Sequence, residues 1–373
     1  MLLAGAWLTA ERYGSLREWL IVLGVVTATG LLAATIGYLG HEQVYWVFVR
    51  DWLVLFVIYW AATGLAAAYE PRQLRLLLGI IVGLGHFQAV YGLIAVASAD
   101  PLILGVWPRL ISLDVLTGTF INRNHVVDLL AAAWIFGLAL TPELLRERPL
   151  RWGGWFLLSL VLGMAVFATQ SRLGVAAAVA GIALFGFLRH RSMQAGAELS
   201  MRWVAGALGV GLVAAVWFGL AGLVGRFLQV PDDVGRLELW RGVLEAPAAL
   251  WWLGAGPGQF ADAFKAFKPL ALVADTEHAH NDYLEILFEL GIVGATVCLG
   301  ALLWWLHRRW GLPPHPLRGA AVAVVAVYLV HALGDFGLHV PGAAIVFWIA
   351  LGIAVNDRLE PPPSGRRRRS SGR

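Results

Sequence analysis

The feature that most constrains this chain is the recurrence of apolar windows long enough to cross a bilayer. One helical crossing needs about 20 mostly apolar residues. Such windows fall at 19–37, 45–68, 74–97, 125–141, 152–170, 172–189, 203–223, 284–306, 317–334 and 339–356. They predict an all-α polytopic membrane protein with about ten transmembrane helices. Composition agrees: 14% of the 373 residues are charged and 59% are hydrophobic, against about 25% and 45–50% in soluble domains. That balance excludes an ordinary cytosolic globule and a disordered chain. The single cysteine, Cys298, excludes a disulfide framework and a cysteine-ligated metal or iron–sulfur site.

The fourth window is short, which predicts a tilted or partly re-entrant path. The fifth and sixth are separated only by Gln170-Ser171-Arg172, which predicts a tight helical hairpin. Arginine sets the orientation. Arg12, Arg17, Arg72, Arg75, Arg146, Arg148, Arg151, Arg189, Arg191, Arg202, Arg308, Arg309, Arg318 and Arg358 all fall on one side if ten spans alternate. The positive-inside rule makes that side cytoplasmic. The outer side then holds the 38–44 turn, the 98–124 loop, the Ser171-Arg172 hairpin, the 224–283 segment and the 334–339 turn.

The organisation expected is therefore N-terminal transmembrane helices over 1–223, a periplasmic loop over 224–283, C-terminal transmembrane helices over 284–356 and a basic cytoplasmic tail over 357–373. The tail is Pro-, Ser- and Arg-rich, a disordered composition. It reads as a topology anchor near anionic lipid, not a nucleic-acid binder. The opening Leu2 to Trp7 is apolar but too short to span, and it lacks the features of a signal peptide. It reads as the end of an earlier helix.

The 224–283 segment is the one long stretch outside the apolar windows. Within it, Leu237, Trp240, Val243 and Leu244 are expected on one helical face, with Arg236 and Glu238 off that stripe. Such a helix lies along a membrane surface or over a cavity mouth. Gly254, Gly256, Pro257 and Gly258 form a turn; their spacing is not a dinucleotide fingerprint. Phe260, Phe264 and Phe267 make a second short amphipathic run. No Walker-type loop occurs, so ATP hydrolysis is not expected, and no cofactor is implied.

Polar groups at membrane depth are costly and point to function. Four places stand out. Asn122, Arg123, Asn124 and His125 enter the fourth window, where Asn122 or Asn124 can cap a helix and Arg123 can bind an anion. Arg172 stands between two apolar helices and can either snorkel or hold a phosphate by forked hydrogen bonds. His278, His280, Asn281 and Asp282 begin the densest cluster of acid–base groups, for which catalysis is the favoured reading. Asp275, Glu277, His278 and His280 form a weaker metal-ligand alternative. His331 and Asp335, four residues apart, can share a helix face. A helix cap and a hydrogen-bonded turn explain most of that segment.

Five segments, in order, carry a family resemblance: GTFINRNH (118–125), SRLG (171–174), GRLELWRGVLEAPAALWWLGAGPGQF (235–260), HAHNDYLEILFELGIVGA (278–295) and HALGDFGLHVPGAA (331–344). The set resembles the bacterial O-antigen ligase and polymerase superfamily. The third segment departs from the usual pattern at Ala246, where relatives often have histidine, and it adds Ala248 to Leu250. The resemblance implies a GT-C-like inner-membrane glycosyltransferase working at the periplasmic face. Its donor is a glycan on undecaprenyl pyrophosphate. Its acceptor is a lipid A–core hydroxyl in a ligase, or a second lipid-linked repeat in a polymerase. It also implies that His280 is the catalytic histidine, and that Arg172 and either Arg236 or Arg241 bind the donor pyrophosphate. His278, Asn281, Asn122, Arg123 and Asn124 are supporting residues, without a metal. Direct displacement would invert the anomeric centre. A transporter or flippase of the same lipid is the alternative of a different class. It would show paired halves or broken helices, and no internal repeat is visible.

The arginine asymmetry yields a topology test. In a Cys298→Ala background, an impermeant thiol reagent applied from outside is expected to label Asp262→Cys and not Leu312→Cys. The reverse labelling would overturn the orientation.

Overall fold

A computed structural model describes residues 54–109, 113–145, 151–192, 231–272, 276–310 and 312–359, together with positions 206 and 209. The windows at 19–37 and 203–223, Asp275, and the arginines at 12, 17, 146, 148, 202 and 366–369 lie outside the described residues. Described regular structure is almost wholly helical. Its β structure is a two-residue antiparallel ladder, β1 (Leu102–Ile103) with β2 (Trp107–Pro108).

Eight helices follow the apolar windows: α1 (Val54–Ala68), α2 (Pro71–Ala97), α3 (Arg123–Leu145), α4 (Arg151–Ala168), α5 (Arg172–Ser192), α9 (Asp282–Trp310), α10 (Pro316–His331) and α11 (Pro341–Ala354). Three short helices lie in the 224–283 segment: α6 (Pro231–Leu244), α7 (Ala248–Leu253) and α8 (Phe260–Phe264). Segments of α2, α3, α5 and α9 are long and apolar enough to cross a membrane. α1, α10, α11 and the Leu157–Ala168 part of α4 are shorter apolar helices. The chain is a multi-pass helical membrane protein.

α3 is the centre of the bundle. It is a continuous helix packed against α2, α4, α5 and α10, not a re-entrant one. Its shortness in hydropathy comes from polar residues in its first turns, His125 and Asp128. Ala131, Ala132 and Ala133 are fully buried, and so are Ala320, Ala321 and Ala323 on α10. Small residues let helix backbones approach closely where lipid supplies no hydrophobic drive between helices. Polar side chains then tie the helices together. Trp134 Nε1 donates to Ser159 Oγ at 2.8 Å, and Tyr328 donates to the Ala343 carbonyl at 2.8 Å.

Arg318 is fully buried and donates to the Asn356 carbonyl at 2.6 Å, while the Asn356 amide holds the carbonyls of Ala66 and Tyr69. Arg318 and Asn356 together therefore tie the start of α10 to the ends of α11 and α1.

α9 is broken by Gly291, with φ 64° and ψ −176°. That backbone region is open essentially to glycine alone. A break releases carbonyls that the next turn would have bonded. Here the carbonyls of Phe288 and Glu289 accept from Ala255 N and Gly256 N, both at 2.9 Å. The glycine turn is thus a backbone cap on the kink. A β-carbon on Gly291 would sit 2.4 Å from the Trp252 carbonyl oxygen, and one on Gly254 would sit 2.1 Å from the Glu289 carbonyl oxygen. Phe260 and Phe264 then pack on Phe288.

α6 departs from the expected face. Leu239, Val243 and Ala246 are buried, whereas Leu237 and Leu244 are exposed. Docking onto Phe260, Phe264 and Ala279 turns the helix away from the face chosen by apolar spacing alone.

Gly291→Ala and Gly254→Ala are each expected to lower stability by at least about 1–3 kcal/mol through backbone strain. The check is the thermal midpoint of purified protein in detergent. A midpoint unchanged by both substitutions would refute the capped-kink account.

Candidate functional site

The polar segments meet at one end of the bundle, which α3, α5, α9 and α11 begin and α10 ends. Asn122 is the cap of α3: its Oδ1 accepts from Asn124 N at 2.9 Å. Arg123 and Asn124 form the first turn, and the next turn aims His125 and Asp128 inward, where both are buried. At the start of α5, Gln170 adopts a positive φ of 51° and Ser171 is buried. Arg172 therefore opens α5 at the same end.

Asn281 caps α9. Its Oδ1 accepts from Tyr283 N and Leu284 N at 3.0 and 3.1 Å, and its Nδ2 donates to the Leu333 carbonyl at 3.0 Å. Its side chain thereby ties the loop before α9 to the turn after α10. Asp282 N reaches the carbonyls of Ala332 and Asp335. The His331–His339 turn is thereby locked to the start of α9.

Two histidines project from this lock. His280 Nδ1 lies 3.5 Å from Asp335 Oδ1; the imidazole side chain is 35% exposed and the carboxylate 0%. His278 Nδ1 lies 2.7 Å from Glu285 Oε1. The other Glu285 oxygen accepts from Ala279 N at 2.8 Å, and Trp240 of α6 donates to the Ala279 carbonyl at 2.9 Å. The segment 278–280 is therefore clamped between α6 and α9. His280 carries a positive φ of 50°, a conformation uncommon for a residue with a β-carbon.

The two histidines lie in a loop, not a helix, and both rings meet Phe336. His278 stacks on it at 4.0 Å between centroids, while His280 and His125 meet its edge or face at 4.9 and 4.7 Å.

Asp335 is the hub. Its carboxylate lies within 4.0 Å of His125, His280 and His331. Burial alone would raise its pKa, but contact with His280 and the charges of His331 and His125 override this and hold it at about 2. His339 Nδ1 sits 2.5 Å from Asp282 Oδ1. Burial alone would lower the His339 pKa; Asp282, then Glu285 and Glu289, push it up to about 9.

The arginines separate. Arg236 Nη1 lies 3.9 Å from where a β-carbon on Gly334 would stand, and Leu173, next to Arg172, touches the same position at 2.8 Å. Arg236 and the start of α5 thus border the Asp335 turn. Arg241 faces outward, paired with Glu245 at 2.8 Å, and both side chains are largely exposed. Among the described residues no group of three or more His, Cys, Asp or Glu side chains is arranged to hold a metal ion. The Nδ1 atoms of His278 and His280 face different carboxylates, and Glu277 is exposed. Asp128 and His339 escaped the sequence reading as site residues. Asp128 lies inside an apolar window, and a lone acid there was the available signal.

Residues 156–299 match the family described as O-antigen ligase. The match supports the O-antigen ligase and polymerase superfamily. It spans Arg172, α6, the clamped histidines and the first half of α9. No curated protein matches the chain.

The raised His339 pKa has a stability consequence. A histidine raised in the folded state contributes fully below its ordinary value of about 6.5, and that contribution is lost as pH rises through about 9. The thermal midpoint is therefore expected to fall on alkalinisation across that window. His339→Gln should lower the midpoint at neutral pH and flatten the slope; an unaltered slope would reject the assignment.

Proposed function

We propose that this protein is a membrane glycosyltransferase of the O-antigen ligase type. It moves a glycan from undecaprenyl pyrophosphate to an acceptor hydroxyl at the periplasmic face of the inner membrane. A lipid A–core sugar is the favoured acceptor. The observation that carries the reading is His280, half-exposed and backed by the buried carboxylate of Asp335, within the region that matches the O-antigen ligase family.

In this reading the donor supplies its own activation, so no nucleotide is consumed. The acceptor oxygen attacks the anomeric carbon, and its proton passes to His280. The bond from that carbon to the phosphate oxygen breaks, and undecaprenyl pyrophosphate leaves with the electron pair. Attack opposite the leaving group inverts the centre. Asp335 aims His280 and stabilises the imidazolium as it forms, as an orienting carboxylate does behind a general base. Arg172 and Arg236 hold the pyrophosphate, whose negative charge grows as the bond breaks. Fixed guanidinium donors at a dry boundary are effective there. In this reading Arg241, which faces outward beside Glu245, takes no part.

Loss of a general base costs about 10²–10⁴-fold in rate. His280→Ala should lose transfer by that margin in reconstituted vesicles while still binding donor. Arg172→Lys and Arg236→Lys keep charge but lose the planar fork; both should weaken donor binding, whereas Arg241→Lys should be close to wild type. Each acceptor class is offered in turn, and growth of lipid-linked glycan instead of transfer to lipid A–core would assign the polymerase reaction. Near-normal transfer by His280→Ala would reject the base assignment.

A further inference from the structure

Behind the Asp335–His280 contact lies a second layer that the proposed reaction does not use. Asp128 on α3 and His331 on α10 are 1% and 3% exposed, and their Oδ1 and Nδ1 atoms are 2.7 Å apart. They are 203 positions apart in sequence. The far ring nitrogen of His331, Nε2, is 4.0 Å from Asp335 Oδ2. The order from the bundle interior outward is carboxylate, imidazole, carboxylate, imidazole.

Ionisable groups at this depth are costly unless paired, and they are generally functional. A packing role explains this pair poorly, since a hydrophobic pair of similar volume packs as well without the desolvation cost. The chain instead makes room for it. A β-carbon on Gly337 would sit 2.5 Å from Asp128 Oδ2, so the turn after Asp335 is shaped around this carboxylate.

We propose that His331 is a positioning residue for the catalytic base: a buried imidazolium, shared with Asp128, that keeps Asp335 ionised and aimed at His280. The inference rests on the glycosyl-transfer reading above. Without a cation between them, two carboxylates sharing a dry site cannot both stay charged, and one takes up a proton. A protonated Asp335 no longer stabilises the imidazolium of His280. The other charged groups facing this layer are Asp282 from α9, His125 from α3 and His280 from the clamped loop, with the Tyr328 phenol below Asp128 and Arg236 beside Gly334. His125 meets Asp335 through Oδ1, on the side of His280. His331 is the imidazole that reaches both Asp128 and Asp335.

A double-mutant cycle tests this with pH–rate profiles on the reconstituted full chain. His331→Gln leaves Asp128 and Asp335 facing each other. Transfer should fall by roughly 10-fold or more, with the acid limb displaced to lower pH by about one unit as His280 loses its counter-charge. Asp128→Asn alone should be mild. Adding it to His331→Gln removes the competing carboxylate, so the double variant should recover most of the rate and the wild-type acid limb. A structural role predicts the opposite, damage that accumulates. If His331→Gln does not fold, recovery of folded, active protein in the double variant is the same charge compensation. A double variant no better than His331→Gln, in yield or in profile, overturns the proposal. So does a His331→Gln profile with no displacement. His280→Ala, assayed alongside, reports on the base assignment separately. Loss of transfer there with an undisplaced His331→Gln profile rejects the buried pair and leaves the base standing. Near-normal transfer by His280→Ala rejects the base assignment.

Discussion

A fully buried carboxylate has to be neutralised where it stands, because water cannot reach it. Asp335 meets that constraint with three imidazoles from three different parts of the chain. The helices that supply them must therefore end at one level. α3 brings His125, α10 brings His331, and the loop before α9 brings His280. Every other feature of this end follows from holding those rings in place. Asn281 and Asp282 lock the turn to α9, Phe336 fills the space between the rings, and Glu285 with Trp240 clamps the loop.

The break in α9 solves a second problem, that of attaching a long extramembrane segment to a bundle of apolar rods. An intact helix has no spare backbone groups along its length. Gly291 exposes two carbonyls, and the amides of Ala255 and Gly256 take both. The turn so fixed carries Phe260 onto Phe288, and the same cluster accepts Leu239 and Val243 of α6. α6 can then reach the site with Trp240 while its Leu237 and Leu244 face outward.

How much of this was legible in the sequence follows from the range of each interaction. Helix positions were readable, because a span is fixed by a local count of apolar residues. α2, α5, α9, α10 and α11 all lie within a few residues of the windows at 74–97, 172–189, 284–306, 317–334 and 339–356. His280, His278 and Asn281 drew attention as costly polar residues beside an apolar window. Their partners did not, because partnership is a tertiary fact. Nothing near Asp128 in sequence announces His331. Which of Arg236 and Arg241 lies beside the Asp335 turn was likewise closed to spacing arguments; it depends on which face of α6 docks, and that is set by aromatics some 20 residues downstream. Gly291 read as one more small residue in an apolar run. Its role depends on a backbone that approaches it from the preceding segment.

The broken helix also bears on the alternative class. Discontinuous helices in transporters leave their freed backbone groups facing substrate or coupling ion, between halves that rock. Here the freed carbonyls are already bonded to amides of a neighbouring loop, with backbone packed on backbone too closely to admit even a methyl group. Such a joint is a fixed anchor. The polar cluster is equally tied down, since its loop, its turn and the start of α9 share backbone hydrogen bonds. A rigid end that presents two carboxylate-backed imidazoles, with the Arg236 guanidinium at its border, is suited to holding reactants still at a boundary. Alternating access requires the reverse, a site whose walls part in turn. The geometry of this end therefore weighs toward chemistry over transport, independently of any family resemblance.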